Sequence, residues 1–191
     1  QGLGFPLFNK IHLCEESPPG GGRSLRMELE GGGAVAYSPP VPVSSLCDYV
    51  IEAYVKTEGL RHDRVFLSLG ILDQGGKTLQ TFSGEPVAGP QTWTRLRLGP
   101  VSPGNSESRS AILGLHVEPG VNEDLKGSAM FGGVSLGRLP RMTLAADEPM
   151  RLYTDSKRPA ISCRVSGLEQ PSGVVAFELT DARGSTFTRE T

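Results

Sequence analysis

The chain of 191 residues contains 25 glycines and 15 prolines, and its formal net charge at pH 7 is −2. Because these glycines and prolines follow no fixed period, the composition excludes a collagen-like repeat and favours many short strands joined by turns. A charge this close to zero leaves no basic excess to neutralise a nucleic-acid backbone, so we expect no nucleic-acid partner. No apolar run approaches the roughly 20 residues that a membrane span requires, so we expect no span either.

Two segments in the first third of the chain alternate between apolar and polar residues. Segment 24–31 (SLRMELEG) places its leucines and its methionine on one parity, and segment 48–59 (DYVIEAYVKTEG) places Glu52 and Tyr54 opposite to Ile51. A period of two with one polar parity is typical of a strand that is buried on one face. Both segments are therefore predicted strands with one face in a core.

More predicted strands follow at regular spacing. Segment 63–76 (DRVFLSLGILDQGG) ends at a Gly-Gly turn, which predicts a hairpin with the apolar segment after it. The later alternating segments are 92–101 (TWTRLRLGPV), 110–120 (SAILGLHVEPG) and 129–140 (AMFGGVSLGRLP). We expect the last one to stop at Pro140, because proline cannot donate a ladder hydrogen bond. About eight strands in about 140 residues predict an all-β fold, an antiparallel sandwich or barrel.

The chain changes character in segment 137–150, which is bracketed by prolines and carries turn residues. Further strands are predicted at 150–154, 160–167 and 173–184, followed by a short stub. This is roughly half of the ~100 residues of an immunoglobulin-like sandwich. We therefore predict a β-sandwich over 1–140 and the truncated start of an Ig-like domain over 141–191. Because the chain begins with Gln, we expect it to be a processed or excised piece of a longer protein.

The three cysteines are Cys14, Cys47 and Cys163, and their spacing matches no zinc or redox motif. A disulfide between Cys14 and Cys47 is one alternative in an oxidising compartment. Three buried free thiols are the other alternative. The residues alone leave the pairing open.

Catalytic motifs are absent from the sequence. It contains no nucleophile elbow, phosphate loop, HExxH motif or Cys/His metal spacing. The histidines His12, His62 and His116 lie far apart along the chain. We therefore expect no catalytic residue in this chain, whereas the parent protein can still be an enzyme.

The order of several short motifs from about residue 5 to 140 resembles the carbohydrate-binding module families of β-jelly-roll fold found beside glycoside hydrolases. The motifs are Gly-Gly-x-Ser-Leu-Arg (21–26), Tyr-x-x-x-x-Tyr-Val-Lys (49–56), Trp-Thr-x-Leu (93–96), Leu-Gly-Leu-His-Val (113–117) and Phe-x-x-Val-x-Leu (131–136). The resemblance implies a galactose-binding-like jelly roll. It also implies a non-catalytic module that binds a polysaccharide or glycan for a covalently attached downstream domain, in a secreted or cell-envelope protein.

The resembling modules often hold a structural calcium ion through an aspartate just before their last strand. Gly132 and Gly133 stand at that position in this chain. Calcium requires oxygen ligands, which glycine side chains cannot supply. We therefore expect no metal and no other cofactor.

Sugar sites stack pyranose rings on exposed aromatic side chains and hydrogen-bond the hydroxyl edges with planar polar groups. On the polar parity of the predicted strands lie Glu52, Tyr54, Phe66, Ser68, Arg95, Arg97, His116 and Glu118. If these strands are neighbours in one sheet, their side chains share its open face. The ligand-binding prediction is that Tyr54 stacks on a sugar, that Arg95 and Arg97 bind hydroxyl, uronate or sulfate groups, and that His116 and Glu52 set the orientation.

Three alternatives stand beside this hypothesis. The polar face can be merely solvated, with Arg95 and Arg97 paired to Glu52 and Glu118 across strands. The chain can be a structural or adhesion module that binds no sugar, or the non-catalytic front of a hydrolase. Trp93 is expected to pack over the edge of the sandwich rather than to hold a ligand.

Overall fold

A computed structural model of the chain describes residues 8–146, 160–168, 174–180 and 183–190. In these ranges the chain forms strands and no helix, so no helix there is long and apolar enough to cross a membrane. In chain order the strands are β1 (Lys10–Cys14), β2 (Ser24–Leu29), β3 (Ala34–Tyr37), β4 (Val41–Pro42), β5 (Cys47–Glu58), β6 (Arg64–Leu72), β7 (Thr78–Ser83), β8 (Val87–Ala88), β9 (Gln91–Val101), β10 (Ser110–Glu118), β11 (Gly127–Ala146), β12 (Ile161–Ser166), β13 (Phe177–Thr180) and β14 (Thr186–Glu190).

The strands up to β11 form two antiparallel sheets. Sheet A has the order β1-β2-β11-β5-β9, and sheet B has the order β3-β10-β6-β7, with the short strands β4 and β8 paired to β10 and β6. The chain passes back and forth between the sheets, so that β2-β11-β5-β9 faces β3-β10-β6-β7 in the pattern of a jelly roll. The predicted all-β antiparallel sandwich of jelly-roll type is confirmed.

The core lies between the two sheets and follows from the alternation in the sequence. Along β5, residues alternate between buried and half-buried from Cys47 to Thr57. Val55 and Phe131 of sheet A and Leu69 of sheet B are at most 1% exposed, and they belong to one apolar cluster. Burying such a side chain contributes roughly 1.5–3 kcal/mol, so the inward parity stabilises the sandwich and leaves the outward parity free for other roles.

Strand β11 is longer than predicted, because it does not stop at Pro140. It pairs with β5 up to Pro140, which lies opposite Cys47, the first residue of β5. From Arg141 onward β11 pairs with β12 instead. Pro140 thus lies where pairing with β5 ends and pairing with β12 begins. Because no continuous row of hydrogen bonds crosses this position, the missing N–H of the proline interrupts none. The expected stop at this proline is wrong for that reason.

The segment after residue 140 contributes β12 and the β13–β14 hairpin. The predicted strands at 160–167 and 173–184 correspond to β12 and β13, and the expected stub contains β14. The strand predicted at 150–154 lies outside the described residues. The division into a sandwich over 1–140 and an Ig-like start over 141–191 stays a prediction.

Arg141 holds the β11–β12 extension against the sandwich. Its Nε donates to Asp48 Oδ1 at 2.7 Å, and its two other nitrogens donate to the carbonyl oxygens of Ser45 and Cys47 at 2.8 and 3.0 Å. Ser166 Oγ, on β12, donates to the Leu46 carbonyl at 2.7 Å. The extension is therefore anchored to the loop before β5.

The three cysteines are free thiols in the structure. Only Cys47 is buried, while Cys14 and Cys163 are half-buried. The Cys14 Sγ lies 3.0 Å from the Ser24 Oγ, within hydrogen-bonding distance for sulfur. Of the three thiols in the alternative of buried free cysteines, only that of Cys47 is buried.

Candidate functional site

The five predicted ligand-binding residues divide between the two sheets. Glu52 and Tyr54 on β5 lie opposite Arg97 and Arg95 on β9, so these four side chains share the outer face of sheet A. His116 lies on β10 in sheet B, and its neighbour across the sheet is Phe66. The expectation of one shared face is therefore wrong for His116. A period of two shows which side of its own sheet a residue occupies, but it does not show to which sheet the strand belongs.

The outer face of sheet B contains a cleft of about 380 Å³. Tyr37, Phe66 and His116 supply its aromatic lining, and Ile112 and Leu72 supply aliphatic surface. Ser68, Thr78, Thr81 and Ser83 add hydroxyl groups, and Gly70 and Glu118 complete the described lining. The volume lies near the lower end of the range for small-molecule pockets.

Glycines at the centre of the sheet make this face concave. Gly70 lies opposite Ile112, and Gly114 lies between Tyr37 and Ser68 in one row across three strands. A Cβ added at Gly114 would collide with Ser68 Oγ and with the His116 ring nitrogen, and would lie 3.0 Å from the Tyr37 ring. The missing side chain at Gly114 therefore provides the room that the surrounding polar and aromatic groups occupy.

The aromatic wall is built on neighbouring strands. The rings of Phe66 and His116 stack with their centroids 4.7 Å apart and an interplanar angle of 6°. Tyr37 meets the His116 ring edge-on at 5.8 Å and 85°. Because Tyr37 is 62% exposed, much of its ring surface remains accessible. The three rings thus form a continuous aromatic wall with accessible apolar surface.

His116 is held by a hydrogen bond at the base of the cleft. Its Nε2 lies 2.7 Å from Ser68 Oγ, and Ser68 is itself buried. Burial lowers the pKa of His116 below 6.5, while the nearby Glu118 carboxylate acts in the opposite direction. The imidazole is therefore neutral at neutral pH. Glu118 is paired with Arg64 at 3.6 Å, so the cleft presents hydroxyl and aromatic groups rather than strong charge.

The outer face of sheet A has a different chemistry. Arg95 forms an ion pair with Glu52 at 2.6 Å, and Arg97 approaches the same carboxylate only to 3.7 Å. The hydrogen bond from Arg95 lowers the pKa of Glu52, so this carboxylate stays ionised. The alternative of cross-strand pairing to Glu52 is therefore confirmed for both arginines, with a hydrogen-bonded pair at Arg95 and a longer ion pair at Arg97. Pairing of these arginines to Glu118 is wrong, because Glu118 lies on sheet B.

Trp93 is half-buried on β9, the edge strand of sheet A. Its parity is that of Arg95 and Arg97, so it lies on the outer side and not in the core. The position at the edge agrees with the expectation, whereas the burial is only partial.

The residues at the expected calcium position do not fit a calcium ion. Gly132 packs against the β1–β2 loop so closely that an added Cβ would lie 2.6 Å from Pro18 Cγ. Gly133 has φ +61° and lies against the ring of Tyr54. Neither position offers an oxygen ligand from a side chain. Within the described ranges, no group of three or more His, Cys, Asp or Glu residues is placed to hold a metal.

No family model and no curated protein matches the chain. Solved structures do match, with the enzymatically active domain of tailspike protein 4 from bacteriophage CBA120 at a TM-score of 0.52 and 14% identity over 69% of this chain. The likeness concerns the fold alone. The N-terminal CBM22-1 and GH10 modules of Clostridium thermocellum xylanase 10B, complexed with xylohexaose, give a TM-score of 0.49 and 15% identity over 70% of the chain. The CBM22-1 xylan-binding domain of Paenibacillus barcinonensis Xyn10C gives 0.40 and 14% over 70%.

The matched region spans different shares of these proteins. It covers 18% of the tailspike chain, 25% of the xylanase chain and 83% of the isolated xylan-binding domain. The structural neighbours of this chain thus include carbohydrate-binding modules of glycoside hydrolases, at low sequence identity.

Sequence reasoning missed much of the cleft, including Tyr37 and the two glycines that shape its floor. Tyr37 ends a strand of only four residues, which is too short to show a period of two. Gly70 and Gly114 lie on the predicted outward parity, where glycine carries no side chain to attract notice. Two further lining residues, Phe66 and Ser68, did fall on the predicted polar parity. The sequence signal that points to this cleft is therefore a set of small outward residues on strands that also carry outward aromatic residues.

Proposed function

We propose that the chain is a non-catalytic glycan-binding module, and that the cleft on sheet B binds a segment of a neutral polysaccharide. The observation that carries this proposal is the aromatic wall of Phe66, His116 and Tyr37 above a floor of small residues. The resemblance of the sequence to jelly-roll carbohydrate-binding modules supports it.

The chemistry of the cleft matches that of a sugar chain. The axial C–H groups of a pyranose ring form an apolar face that packs on aromatic rings, and its equatorial hydroxyls require hydrogen-bonding partners. The exposed ring of Tyr37 offers the apolar contact. Ser83 and Thr81, on β7, lie in the same rows as Ser68 and Gly70 and offer hydroxyls at the opposite side. A ligand across these rows contacts both kinds of group.

The charge of the cleft favours a neutral ligand. Its described lining contains one charged side chain, Glu118, and no lysine or arginine. A carboxylate or sulfate on the ligand would meet a neutral His116 and a carboxylate, and it would find no cation to replace its lost hydration. The cleft is therefore suited to unsubstituted sugars rather than uronates or sulfated sugars.

In this proposal the chain is one module of a larger protein. The sequence carries no catalytic motif, so the binding activity supplies a covalently attached downstream domain with its polymer. A parent that acts on polysaccharide outside the cell or in the cell envelope fits the same chemistry.

Retention on polysaccharide gels tests the proposal. The whole chain is run in native gels that contain xylan, β-glucan or mannan, beside Phe66→Ala and the matched control Tyr54→Ala, which removes a ring from the other sheet. We expect retention by at least one neutral polymer, and Phe66→Ala should weaken it about tenfold, because one ring face and the support of His116 are lost. Absence of retention on every neutral polymer, or equal loss in both variants, would contradict a glycan site in the cleft.

A structural or adhesion module is the second candidate function. The observation in its favour is the β11–β12 ribbon, where Met142, Leu144 and Ile161 are exposed on one face. Contiguous exposed apolar side chains are typical of contact surfaces. Self-association or partner binding that is abolished by Leu144→Glu, without any retention on polysaccharide, would favour this alternative.

A further inference from the structure

At the β5–β9 edge of the outer face of sheet A, two arginines lie beside one carboxylate. Arg95 and Arg97 are 57% and 55% exposed, while the Glu52 carboxylate between them is 28% exposed. Arg95 is within hydrogen-bonding distance of Glu52, but the 3.7 Å approach of Arg97 Nε is longer than a hydrogen bond. Arg97 is thus ion-paired with Glu52 without a hydrogen bond to it, and among the described residues its guanidinium N–H groups have no hydrogen-bond acceptor, so they can donate to a ligand.

An aromatic ring lies beside these arginines. Tyr54 is directly opposite Arg95 in the register of β5 and β9, and it is the diagonal neighbour of Arg97. On its other side the ring of Tyr54 faces Gly133, at which an added Cβ would lie 3.3 Å from Tyr54 Cδ2. Because Gly133 has φ +61°, a side chain there would also be strained. The ring is therefore bordered by bare backbone on the side away from the arginines.

We propose that Glu52, Tyr54, Arg95 and Arg97 form a second ligand site, the anion face, which binds the carboxylate or sulfate group of an acidic sugar chain. Alternate residues of a strand lie ~6.8 Å apart on one face, and diagonal cross-strand neighbours lie ~7–8 Å apart. These spacings let one sugar unit lie against the ring of Tyr54 while its anionic group meets Arg97.

Each residue has a distinct role on the anion face. Arg97 donates to the anionic group in the planar geometry that guanidinium shares with carboxylate and sulfate. Arg95 adds positive charge, and its ion pair with Glu52 holds its guanidinium in place. Glu52 competes with the ligand for both arginines, which limits the affinity for any single anion. The face is open rather than enclosed, so we expect it to bind chains carrying many anionic groups more tightly than single sugars.

Binding to acidic polymers tests this site separately from the cleft. The whole chain is titrated with dextran sulfate, polygalacturonate and uncharged dextran, at low and high salt. We expect salt-sensitive binding to at least one of the two acidic polymers, whereas any binding of uncharged dextran belongs to the cleft and should be lost in Phe66→Ala. Arg97→Gln should weaken the binding about tenfold, as expected for the loss of a charge-assisted hydrogen bond. Preference for dextran sulfate identifies sulfate as the bound group, and preference for polygalacturonate identifies a carboxylate.

Arg61→Gln is the matched control, because Arg61 is also exposed but lies in the loop after β5, and no described residue pairs with its side chain. It should bind the acidic polymers as the wild type does, within about twofold. Equal weakening in Arg61→Gln and Arg97→Gln would mean attraction by overall charge and would overturn the proposal, as would absence of acidic-polymer binding. The Phe66→Ala variant should keep acidic-polymer binding, so failure of the cleft and failure of the anion face are distinguishable.

Discussion

The two outer faces of the sandwich differ in shape and charge, although both sheets are built from strands that alternate between buried and outward residues. On sheet B, Gly70 and Gly114 lower the centre of the face, and the aromatic side chains around them form a wall. On sheet A, the rows at the β5–β9 edge carry Glu52 and Tyr54 opposite two arginines, so that part of the face is charged. The difference arises entirely on the outward parity, which the core does not constrain.

This contrast shows how one fold can carry two kinds of ligand site. The inward residues of β5 and β6 are mostly apolar and belong to one core cluster. The outward residues do not pack into the core, so the two faces can differ in chemistry above the same sandwich. Two glycines on sheet B create a cleft, and two arginines on sheet A create an anion face.

The largest expected effect comes from filling the floor of the cleft. Gly114→Ala places a methyl group against Ser68 Oγ and His116 Nε2, so their hydrogen bond must break or the strands must shift. We expect the loss of neutral-glycan retention and destabilisation by about 1–3 kcal/mol, as for overpacked cores. Urea denaturation and affinity electrophoresis measure the two effects.

Gly70→Ala is the matched control for this prediction. A Cβ at Gly70 would have its nearest neighbour, the Ile112 carbonyl oxygen, at 4.0 Å, which is ordinary van der Waals distance. The variant should therefore keep its stability while making the cleft shallower. If Gly114→Ala is as stable as Gly70→Ala and still binds neutral glycan, the packing described for the cleft is incorrect. Binding of acidic polymer should be unchanged in both variants.

The fold was predictable from the sequence because burial imposes a pattern that can be read without coordinates. The alternation in β5 and β10 gave their inward and outward residues correctly. The end of β11 was not predictable, because whether Pro140 stops a strand depends on where its partner strand begins. Pairing with β5 ends at Cys47 and pairing with β12 starts at Arg141, and neither fact is local to the proline.

The candidate site was predictable only in part. Tyr54 and Arg95 were placed on one face because β5 and β9 are true neighbours. His116 has the same outward parity, yet β10 pairs with β6 and β3 in the other sheet. The order of strands in a jelly roll is set by contacts between distant segments, which a period of two does not encode. Tyr37 became part of the cleft through the same distant pairing.

The pH dependence of stability tests whether the imidazole of His116 is buried at the base of the cleft. Burial holds its pKa below 6.5, so over the pH range just under 6.5 the unfolded chain binds a proton more readily than the folded chain. The free energy of unfolding should therefore fall as the pH is lowered through that range. His116→Gln should lose less stability over the same interval in urea denaturation. An identical pH dependence in the two proteins would contradict the burial of this ring.

The smallest expected effect concerns the balance of charge on the anion face. Glu52→Gln removes the carboxylate that occupies Arg95, so both guanidinium groups become available to an anionic ligand. We expect tighter binding of dextran sulfate together with only a slight loss of stability, because exposed ion pairs contribute little to folding. Isothermal titration at low salt measures the affinity. Weaker binding in Glu52→Gln would mean that the carboxylate is needed to orient Arg95 rather than acting as a competitor, and the anion face would then depend on the intact ion pair.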